Sequence, residues 1–236
     1  MTNDSGLRRL IRPVYYYLRS VTDTLRVLFR GKQKVFVLGF NKTGTTTMKK
    51  ALDDLGYMVG SERAAKPLFK DWKKRDFKPI IAFCKSAEAF QDSPFSFPYT
   101  YVALDQAYPG SKFILTVRDD EEQWYRSITQ FHSKLWGEGD GTPPTKEQLK
   151  TAFNAYKGRP WDVNRALFNS PESDPYDEAA LKSFYRWHNH CIKEYFRDRA
   201  DDLLVINVAK PGAYREFVDF LGVESSADGF PWENKT

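Results

Sequence analysis

The stretch GFNKTGTTTMKKAL, residues 39–52, combines glycines, a lysine and consecutive threonines, which are residue types that bind phosphate groups. In nucleoside triphosphatases the phosphate-binding loop has the pattern G-x-x-x-x-G-K-[ST], with the lysine directly after the second glycine. Gly39 and Gly44 keep this spacing, but Thr45 stands where the lysine is required and Lys42 lies three residues before Thr45. The loop therefore predicts an anion site whose ligand differs from a magnesium-bound triphosphate.

The elements around this loop would aim several donors at one point. The apolar run KVFVLGF predicts a buried parallel strand over 34–40, and apolar residues at helical spacing predict a helix over 45–55. A turn into a helix N-terminus directs backbone N–H groups and the positive end of the helix dipole at an anion. Hydroxyl groups add further donors from Thr43, Thr45, Thr46 and Thr47. The alternative is an ordinary strand-to-helix turn with a threonine cap.

A second stretch, KFILTVRDDEEQWYRSI at residues 112–128, repeats the order of buried strand, charged residue and capped helix. Arg118 falls at the carboxyl end of the strand, where open α/β sheets bind ligands. Ser127 shares the apolar side of the following helix, so an arginine and an inward serine could bind a second phosphate. Alternatively, Arg118 forms a salt bridge to Asp119 or Asp120 and Ser127 fills a tight packing position.

Strands and helices alternate along the rest of the chain. Strands are predicted over 34–40, 112–118 and 203–208, and helices over 45–55, 99–107, 120–136, 146–156, 174–199 and 211–221. The segment between the helix 45–55 and about residue 98 is predicted to be irregular. Three residue pairs mark helix starts by their capping chemistry, namely Asp120 with Gln123, Thr145 with Gln148, and Asp174 with Pro175. This order predicts a single α/β domain with helices on both faces of a mostly parallel sheet.

Composition limits the function classes. The 236 residues carry a net charge of +5, which suits an anionic ligand but is too small to require nucleic acid. The two cysteines, Cys84 and Cys191, have no metal-like spacing and favour a reduced, cytoplasmic setting. Three histidines, His132, His188 and His190, make a dedicated zinc site unexpected.

The N-terminal segment, residues 1–33, has a basic amphipathic pattern. Over residues 7–29, leucines, isoleucine and valines recur three or four apart with arginines between them. Such a helix could rest on an anionic membrane surface as a peripheral contact. The favoured alternative is that the helix packs on the domain formed by 34–236. No stretch is long and apolar enough to predict a transmembrane helix or a signal peptide.

Taken together, FNKTGTTT and ILTVRDDEEQWYRSI resemble the two phosphate-binding segments of sulfotransferases that use 3′-phosphoadenylyl sulfate (PAPS). The first is similar to their P-K-[ST]-G-T-[ST] loop, in which the lysine also precedes the glycine. YTYVALDQAYPGSKFILTVRD, YFRDRADDLLVINV and FPWEN add a likeness to the bacterial and fungal branch. The resemblance extends from about residue 34 to the C-terminus.

The resemblance implies a P-loop-type fold and transfer of a sulfuryl group from PAPS to a hydroxyl, releasing 3′-phosphoadenosine 5′-phosphate (PAP). The acceptor would be a small molecule, glycan or lipid, with a carbohydrate or glycolipid favoured. No metal is expected, because a sulfuryl group carries less charge than a phosphoryl group. The alternative function is a non-catalytic nucleotide-phosphate-binding module for partners or membrane surfaces. An ATP- or GTP-dependent kinase conflicts with Thr45 and with the lack of an evident carboxylate pair for Mg²⁺.

The resemblance also implies roles for the phosphate-binding residues. Lys42 would reach the bridging oxygen, where charge develops as the S–O bond breaks. Arg118 and Ser127 would bind the 3′-phosphate, although their spacing is one residue longer than in the steroid and phenol enzymes. The 5′-phosphate would be held by backbone N–H groups of Thr43, Gly44, Thr45, Thr46 and Thr47. Asn41 replaces the usual proline, which should change loop rigidity more than chemistry.

Three further residues have open assignments. Asp92 in AFQDSPF lies where related enzymes place the general base, although an aspartate before proline also starts Asx turns. His188 is the rival base, but it shares the apolar stripe of its helix and could be a hydrogen-bonded core histidine. Lys210 in AKPG follows the last strand, where it would contact the nucleotide or cap a turn.

Overall fold

A four-stranded parallel sheet is the centre of the molecule, for which the computed structural model describes residues 22–231. Its strands are β1 (Val35–Val37), β2 (Ala89–Phe90), β3 (Lys112–Thr116) and β6 (Leu203–Ile206), in the order β2-β1-β3-β6. In register, Phe36 pairs with Phe90 on one side and with Phe113 on the other. A short antiparallel hairpin, β4 (Phe153–Asn154) and β5 (Tyr156–Lys157), lies apart from the sheet.

Helices connect and cover the strands. The described part of the first helix, α1, comprises residues 22–30. The others are α2 (Thr45–Asp54), α3 (Glu62–Ala65), α4 (Phe69–Lys73), α5 (Lys78–Phe83), α6 (Thr100–Ala107), α7 (Glu121–Trp136), α8 (Lys146–Thr151), α9 (Arg159–Leu167), α10 (Glu178–Tyr195) and α11 (Ala213–Leu221). Two 3₁₀ turns, Lys66–Leu68 and Cys84–Ser86, complete the described elements.

The sheet buries both of its faces, because successive side chains of a strand point to opposite sides. Val35 and Val37 join α2 and α11 in one hydrophobic cluster. Phe36 joins α7 and α10 in the other, larger cluster on the opposite face. The predicted α/β fold, a mostly parallel sheet with helices on both faces, is therefore confirmed.

The three predicted strands form, each with fewer residues than its apolar run. The segment interpreted as irregular, by contrast, contains α3, α4, α5 and the strand β2. Its elements are too short for a helical or alternating pattern to stand out. Tertiary contacts hold them instead, since Gly60 N–H donates to the Ala89 carbonyl at 2.8 Å and the Phe36 and Phe90 rings stack at 5.8 Å.

Capping explains where the predicted helix boundaries succeed and fail. The Thr145–Gln148 capping box is present at the start of α8. That helix ends at Thr151 rather than near 156, because the chain turns into the β4–β5 hairpin. The helix α9, which follows the hairpin, has no counterpart among the predicted helices. The predicted start of the long helix at Asp174 is wrong. Asp177 caps α10 by accepting from Ala180 N–H at 2.8 Å, whereas Asp174 accepts from Tyr176 N–H in a preceding turn.

The basic amphipathic segment predicted over 7–29 falls largely outside the described residues. Only its last part, within residues 22–30, is described, and that part is helical. No helix among residues 22–231 is long and apolar enough to cross a membrane.

Candidate active site

The carboxyl ends of the four parallel strands meet at one edge of the sheet, where open α/β sheets bind ligands. A cavity of about 660 Å³ opens there. Each strand contributes lining residues through the loop that follows it: Asn41 after β1, Asp92 after β2, Arg118 after β3 and Val208 after β6. The topology thus brings together both segments that the sequence analysis assigned to phosphate binding.

The glycine-containing loop is clamped against the end of β3. Gly39 approaches so closely that an added Cβ would lie 1.8 Å from Thr116 Oγ1 and 2.6 Å from the Thr116 carbonyl oxygen. Thr43 Oγ1 lies 2.6 Å from Thr116 Oγ1 and donates to the Phe40 carbonyl at 2.6 Å. Thr43 is fully buried and does not line the cavity. Its hydroxyl therefore holds the loop in place, where the sequence analysis expected a phosphate donor.

The first turn of α2 presents donors to the cavity. Its N-cap, Gly44, has φ 101° and makes no side-chain cap hydrogen bond to the helix. The following residues, Thr45, Thr46 and Thr47, all line the cavity. Because the first N–H groups of a helix have no intrahelical partner, this uncapped end is ready to bind an anion.

Lys42 enters the cavity from a left-handed backbone position with φ 71°. Its carbonyl accepts from Arg118 Nε at 2.6 Å, which fixes the turn. Its ammonium nitrogen lies 4.3 Å from the centre of the Phe131 ring, and it forms no ion pair within residues 22–231. Burial lowers the pKa of Lys42, and the neighbouring charges of Arg118 and Lys134 lower it further.

Arg118 is also placed for anion binding. Its backbone N–H donates to the Tyr185 hydroxyl at 2.9 Å, and its side chain lines the cavity. The alternative salt bridges are absent from the described residues. Asp119 instead pairs with Lys210, and Asp120 caps α7 by accepting from Gln123 N–H at 2.6 Å.

Ser127 and Lys210 do not line this cavity. Ser127 Oγ is buried and has no hydrogen-bond partner in the described chain. Lys210 Nζ lies 2.7 Å from Asp119 Oδ1, and its N–H donates to the Asn207 carbonyl at 3.0 Å. This geometry favours the turn-capping role for Lys210, while Val208 and Ala209 next to it line the cavity.

Asp92 lies on the cavity wall after β2, again with a left-handed φ of 62°. Its Oδ1 accepts from Ser93 N–H at 2.6 Å and from Asn41 Nδ2 at 3.1 Å. No hydrogen bond to Oδ2 occurs in the described part of the chain, so this oxygen remains free to accept. Burial raises the pKa of Asp92 above its ordinary range, and the nearby charge of Glu62 acts in the same direction.

His188, the rival base, lies in the hydrophobic core and not on the cavity wall. It is 2% exposed, and its Nε2 donates to the Leu38 carbonyl at 3.1 Å. Its ring stacks on Phe184 at 5.7 Å, and burial lowers its pKa to about 4. The geometry favours a structural role, and the structure does not bring His188 together with Lys42 and Asp92.

The charged residues on the cavity wall favour an anionic ligand. Five are basic (Lys42, Lys66, Arg118, Lys134 and Arg159) and two are acidic (Glu62 and Asp92). No group of three or more potential metal-ligating side chains comes together among residues 22–231.

Comparison with known families tests the resemblance to sulfotransferases. A family model described as a sulfotransferase domain matches residues 34–236. The chain belongs to this sulfotransferase family. Comparison with curated proteins gives no match. Sulfuryl transfer is therefore the reaction class of this sulfotransferase, and the cavity at the carboxyl edge of its sheet is its candidate active site.

Sequence reasoning missed three residues of the sulfotransferase cavity. Asn41 joins the loop that contains Lys42 to Asp92 by a hydrogen bond, so its role extends beyond the rigidity of that loop. His132 lines the cavity, with Nδ1 2.8 Å from the Tyr176 hydroxyl and a pKa lowered to about 3 by burial and then by Lys42. Its signal was the position one turn after Ile128 on the buried side of α7. Arg159 is also on the wall, and a lone arginine outside any motif gave no signal.

Proposed function

We propose that this sulfotransferase moves a sulfuryl group from PAPS to a hydroxyl group of its acceptor and releases PAP. The observation that carries the proposal is Lys42, a half-buried lysine without an ion pair in the described structure, beside the uncapped N-terminus of α2. A cation held there can stabilise the negative charge that develops on the leaving oxygen. Lys42 shares its cavity with Asp92, whose Oδ2 accepts no hydrogen bond in the described structure, and this pair of groups favours transfer chemistry over binding alone.

The residues at the edge of the sheet fit a donor with two separated phosphates. The first turn of α2 offers N–H groups for one phosphate, as the helix dipole also favours. Arg118 donates a hydrogen bond from Nε to the Lys42 carbonyl, and its two terminal nitrogens make no hydrogen bond within residues 22–231. These nitrogens suit a second phosphate. Ser127 Oγ is buried and has no partner in the described chain, which leaves it as the candidate for a further hydrogen bond to this phosphate.

The residues would share the chemical step between them. PAPS supplies the sulfuryl group as a substrate. Asp92 Oδ2 would accept the proton of the acceptor hydroxyl, whose oxygen forms the new bond to sulfur. Lys42 would stabilise the electron pair left on the phosphate oxygen when the old S–O bond breaks. The hydrogen bonds from Asn41 and Ser93 orient the carboxylate for this role.

The choice between enzyme and binding module rests on two measurements with the full chain. Isothermal titration with PAP, with and without EDTA, should give metal-independent binding in the micromolar range. Turnover of labelled PAPS, even as slow hydrolysis, should then be measurable. PAP binding without any turnover would support the non-catalytic module. Binding of ATP that depends on Mg²⁺ would contradict both proposals.

The acceptor is proposed to be a carbohydrate or glycolipid hydroxyl. Aromatic side chains on the cavity wall support this choice, since rings can stack on sugar faces. They are Phe40, Phe97, Phe131, Trp136, Phe168 and Tyr176. Peripheral membrane contact through residues 7–29 and a cytoplasmic location remain predictions from the sequence.

Replacing Arg118 by alanine should weaken binding of nucleotides that carry a 3′-phosphate. The loss of a charge-assisted contact corresponds to about 1.5–3 kcal/mol, or roughly 10- to 150-fold in affinity. Adenosine 5′-phosphosulfate lacks the 3′-phosphate. Titrating the wild-type protein and Arg118→Ala with PAP and with this nucleotide therefore isolates the loss of affinity that is due to the 3′-phosphate. Arg118 also braces the Lys42 carbonyl, so a small loss common to both ligands is expected. Equal losses for both ligands would contradict a 3′-phosphate role.

The pH dependence of kcat/KM should be a narrow bell. Asp92 must be deprotonated, and burial raises its pKa above the ordinary 3.8, so activity rises with pH through this raised pKa. Lys42 must be protonated, and its pKa is lowered from 10.5, so activity falls at a lower pH than an ordinary lysine would give. Lys42→Arg should abolish the alkaline limb, because arginine stays protonated. A wild-type alkaline limb that persists in Lys42→Arg would assign it to another group.

A further inference from the structure

One wall of the cavity carries polar atoms that the protein leaves unpaired. Within residues 22–231, seven buried side-chain nitrogen and oxygen atoms have no hydrogen-bond partner. Three of them belong to residues that line this cavity, namely Gln91 Oε1, Arg159 Nε and Asn164 Oδ1. Each of these residues is only 4% exposed. Because buried polar groups are nearly always paired, these three atoms need partners that the described chain does not supply.

The two amides on this wall each leave an acceptor oxygen without a partner in the described chain. The Gln91 amide nitrogen donates to the Glu62 carboxylate, and Asn164 Nδ2 donates to the Pro175 carbonyl at 2.8 Å. The Glu62 carboxylate and the Pro175 carbonyl accept hydrogen bonds and do not donate them, so each amide must turn its nitrogen towards them. This fixes the orientation of both amides. The remaining oxygens, Gln91 Oε1 and Asn164 Oδ1, are therefore suited to hydroxyl donors.

Arg159 is the charged member of the wall. It stands at the first position of α9, directly after Gly158 with φ 82°. Its hydrogen bond runs from Nη2 to Ser93 Oγ at 2.6 Å, and it makes no ion pair with a carboxylate in the described structure. Burial lowers its pKa, and the charge of Asp92 opposes that shift. A buried guanidinium without a carboxylate partner is costly unless a ligand supplies the missing charge.

The local charges leave room for one negative group. Glu62 is paired with Lys49 at 3.0 Å, so it does not compensate the cavity cations. Lys66 donates to the neutral Asn154 side chain at 2.7 Å. Arg159 and Lys66 both interact with the charge of Asp92, and neither forms an ion pair in the described structure. With Glu62 paired to Lys49, these two cations and one carboxylate leave one positive charge in excess.

We propose that this wall, formed by Gln91, Arg159 and Asn164, is an acceptor subsite for hydroxylated molecules that carry a carboxylate or another anionic oxygen group. Arg159 binds the anionic group, and the two amide oxygens accept from neighbouring hydroxyls. The inference rests on the proposed sulfotransferase reaction and narrows its acceptor to hydroxylated molecules that carry an anionic group. If Arg159 only adjusts the pKa of Asp92, acceptor charge will not matter.

Matched acceptor probes test this subsite with the full chain saturated with PAP. Binding of methyl glucuronide is compared with methyl glucoside, and 4-hydroxyphenylacetate with 4-hydroxyphenylacetamide. Each acid should bind more tightly than its neutral partner, by about 10- to 150-fold for a charge-assisted contact. Equal binding within both pairs, or no binding by either acid, would overturn the proposal. PAP titration in the same samples reports the donor site separately, so its failure would instead count against the sulfotransferase reaction.

Variants then assign the preference to Arg159. Arg159→Gln should bind the acids no better than the neutral probes, and Arg159→Lys should keep part of the preference. Arg165→Gln is the matched control, because Arg165 lies on the same helix and donates to the Ser170 carbonyl at 2.6 Å. PAP affinity and thermal unfolding report whether each variant folds. An acid preference that survives in folded Arg159→Gln would overturn the role of Arg159, as would an equal loss for acid and neutral probes.

Discussion

Lys42→Ala is expected to lower kcat by roughly 10²–10³-fold, by analogy with the removal of one oxyanion-stabilising donor. The affinity for PAP should change far less, because the main interaction of Lys42 forms only as the S–O bond breaks. In the proposed site, the α2 N-terminus and Arg118 would hold the nucleotide without the Lys42 side chain. Single-turnover rates with PAPS and titration with PAP measure the two effects separately.

The matched control is Lys193→Ala, which removes an exposed lysine from α10 at a position outside the cavity. It should leave both kcat and PAP affinity unchanged. If Lys42→Ala instead kept kcat within a few-fold while KM rose, Lys42 would be an ordinary phosphate ligand. The proposed stabilisation of the leaving oxygen would then be wrong.

Asp92→Asn should remove most of the turnover while PAP binding stays intact. Asparagine keeps nearly the same shape and can still accept through Oδ1 from Asn41 and Ser93, but it cannot take the proton of the acceptor hydroxyl. General-base catalysis is worth about 10²–10⁴-fold, so a loss in that range is expected. The measurements are kcat with PAPS and an acceptor that the wild-type enzyme sulfates, and PAP affinity by titration of the same preparation.

Two histidine variants make the assignment of the base specific. His188→Asn should mainly lower the melting temperature, because His188 is buried and holds the Leu38 carbonyl. His132→Asn tests the histidine that does line the cavity. A folded but inactive His132 or His188 variant, together with an active Asp92→Asn variant, would transfer the role of base to that histidine.

The sequence by itself was sufficient for the strand–turn–helix segment around Lys42 and for the fold class. Gly39, Lys42 and Gly44 occupy neighbouring positions in one turn, and the strand before them and the helix after them each have a strong local pattern. Short-range steric and hydrogen-bonding rules act within such a segment, so reading it requires no knowledge of the rest of the chain. The same reason explains the confirmed Thr145–Gln148 capping box.

The walls of the cavity depended on contacts between distant segments. Asn41 and Asp92 are 51 residues apart, and Arg159 and Ser93 are 66 apart, yet each pair is joined by a hydrogen bond. No local pattern encodes such a contact, because it depends on which strand ends become neighbours in the sheet. The missed strand β2 is one example, since it places Asp92 beside the loop that contains Lys42.

The histidines show the same division between sequence and tertiary structure. Helical periodicity correctly put His188 on the apolar side of α10. Periodicity gives the direction of a side chain relative to its own helix, but it does not say what that side faces. Packing placed His188 against the Leu38 carbonyl in the core and His132 at the cavity. Only the tertiary structure decides between core and cavity, because a residue on the buried side of its helix can face either one.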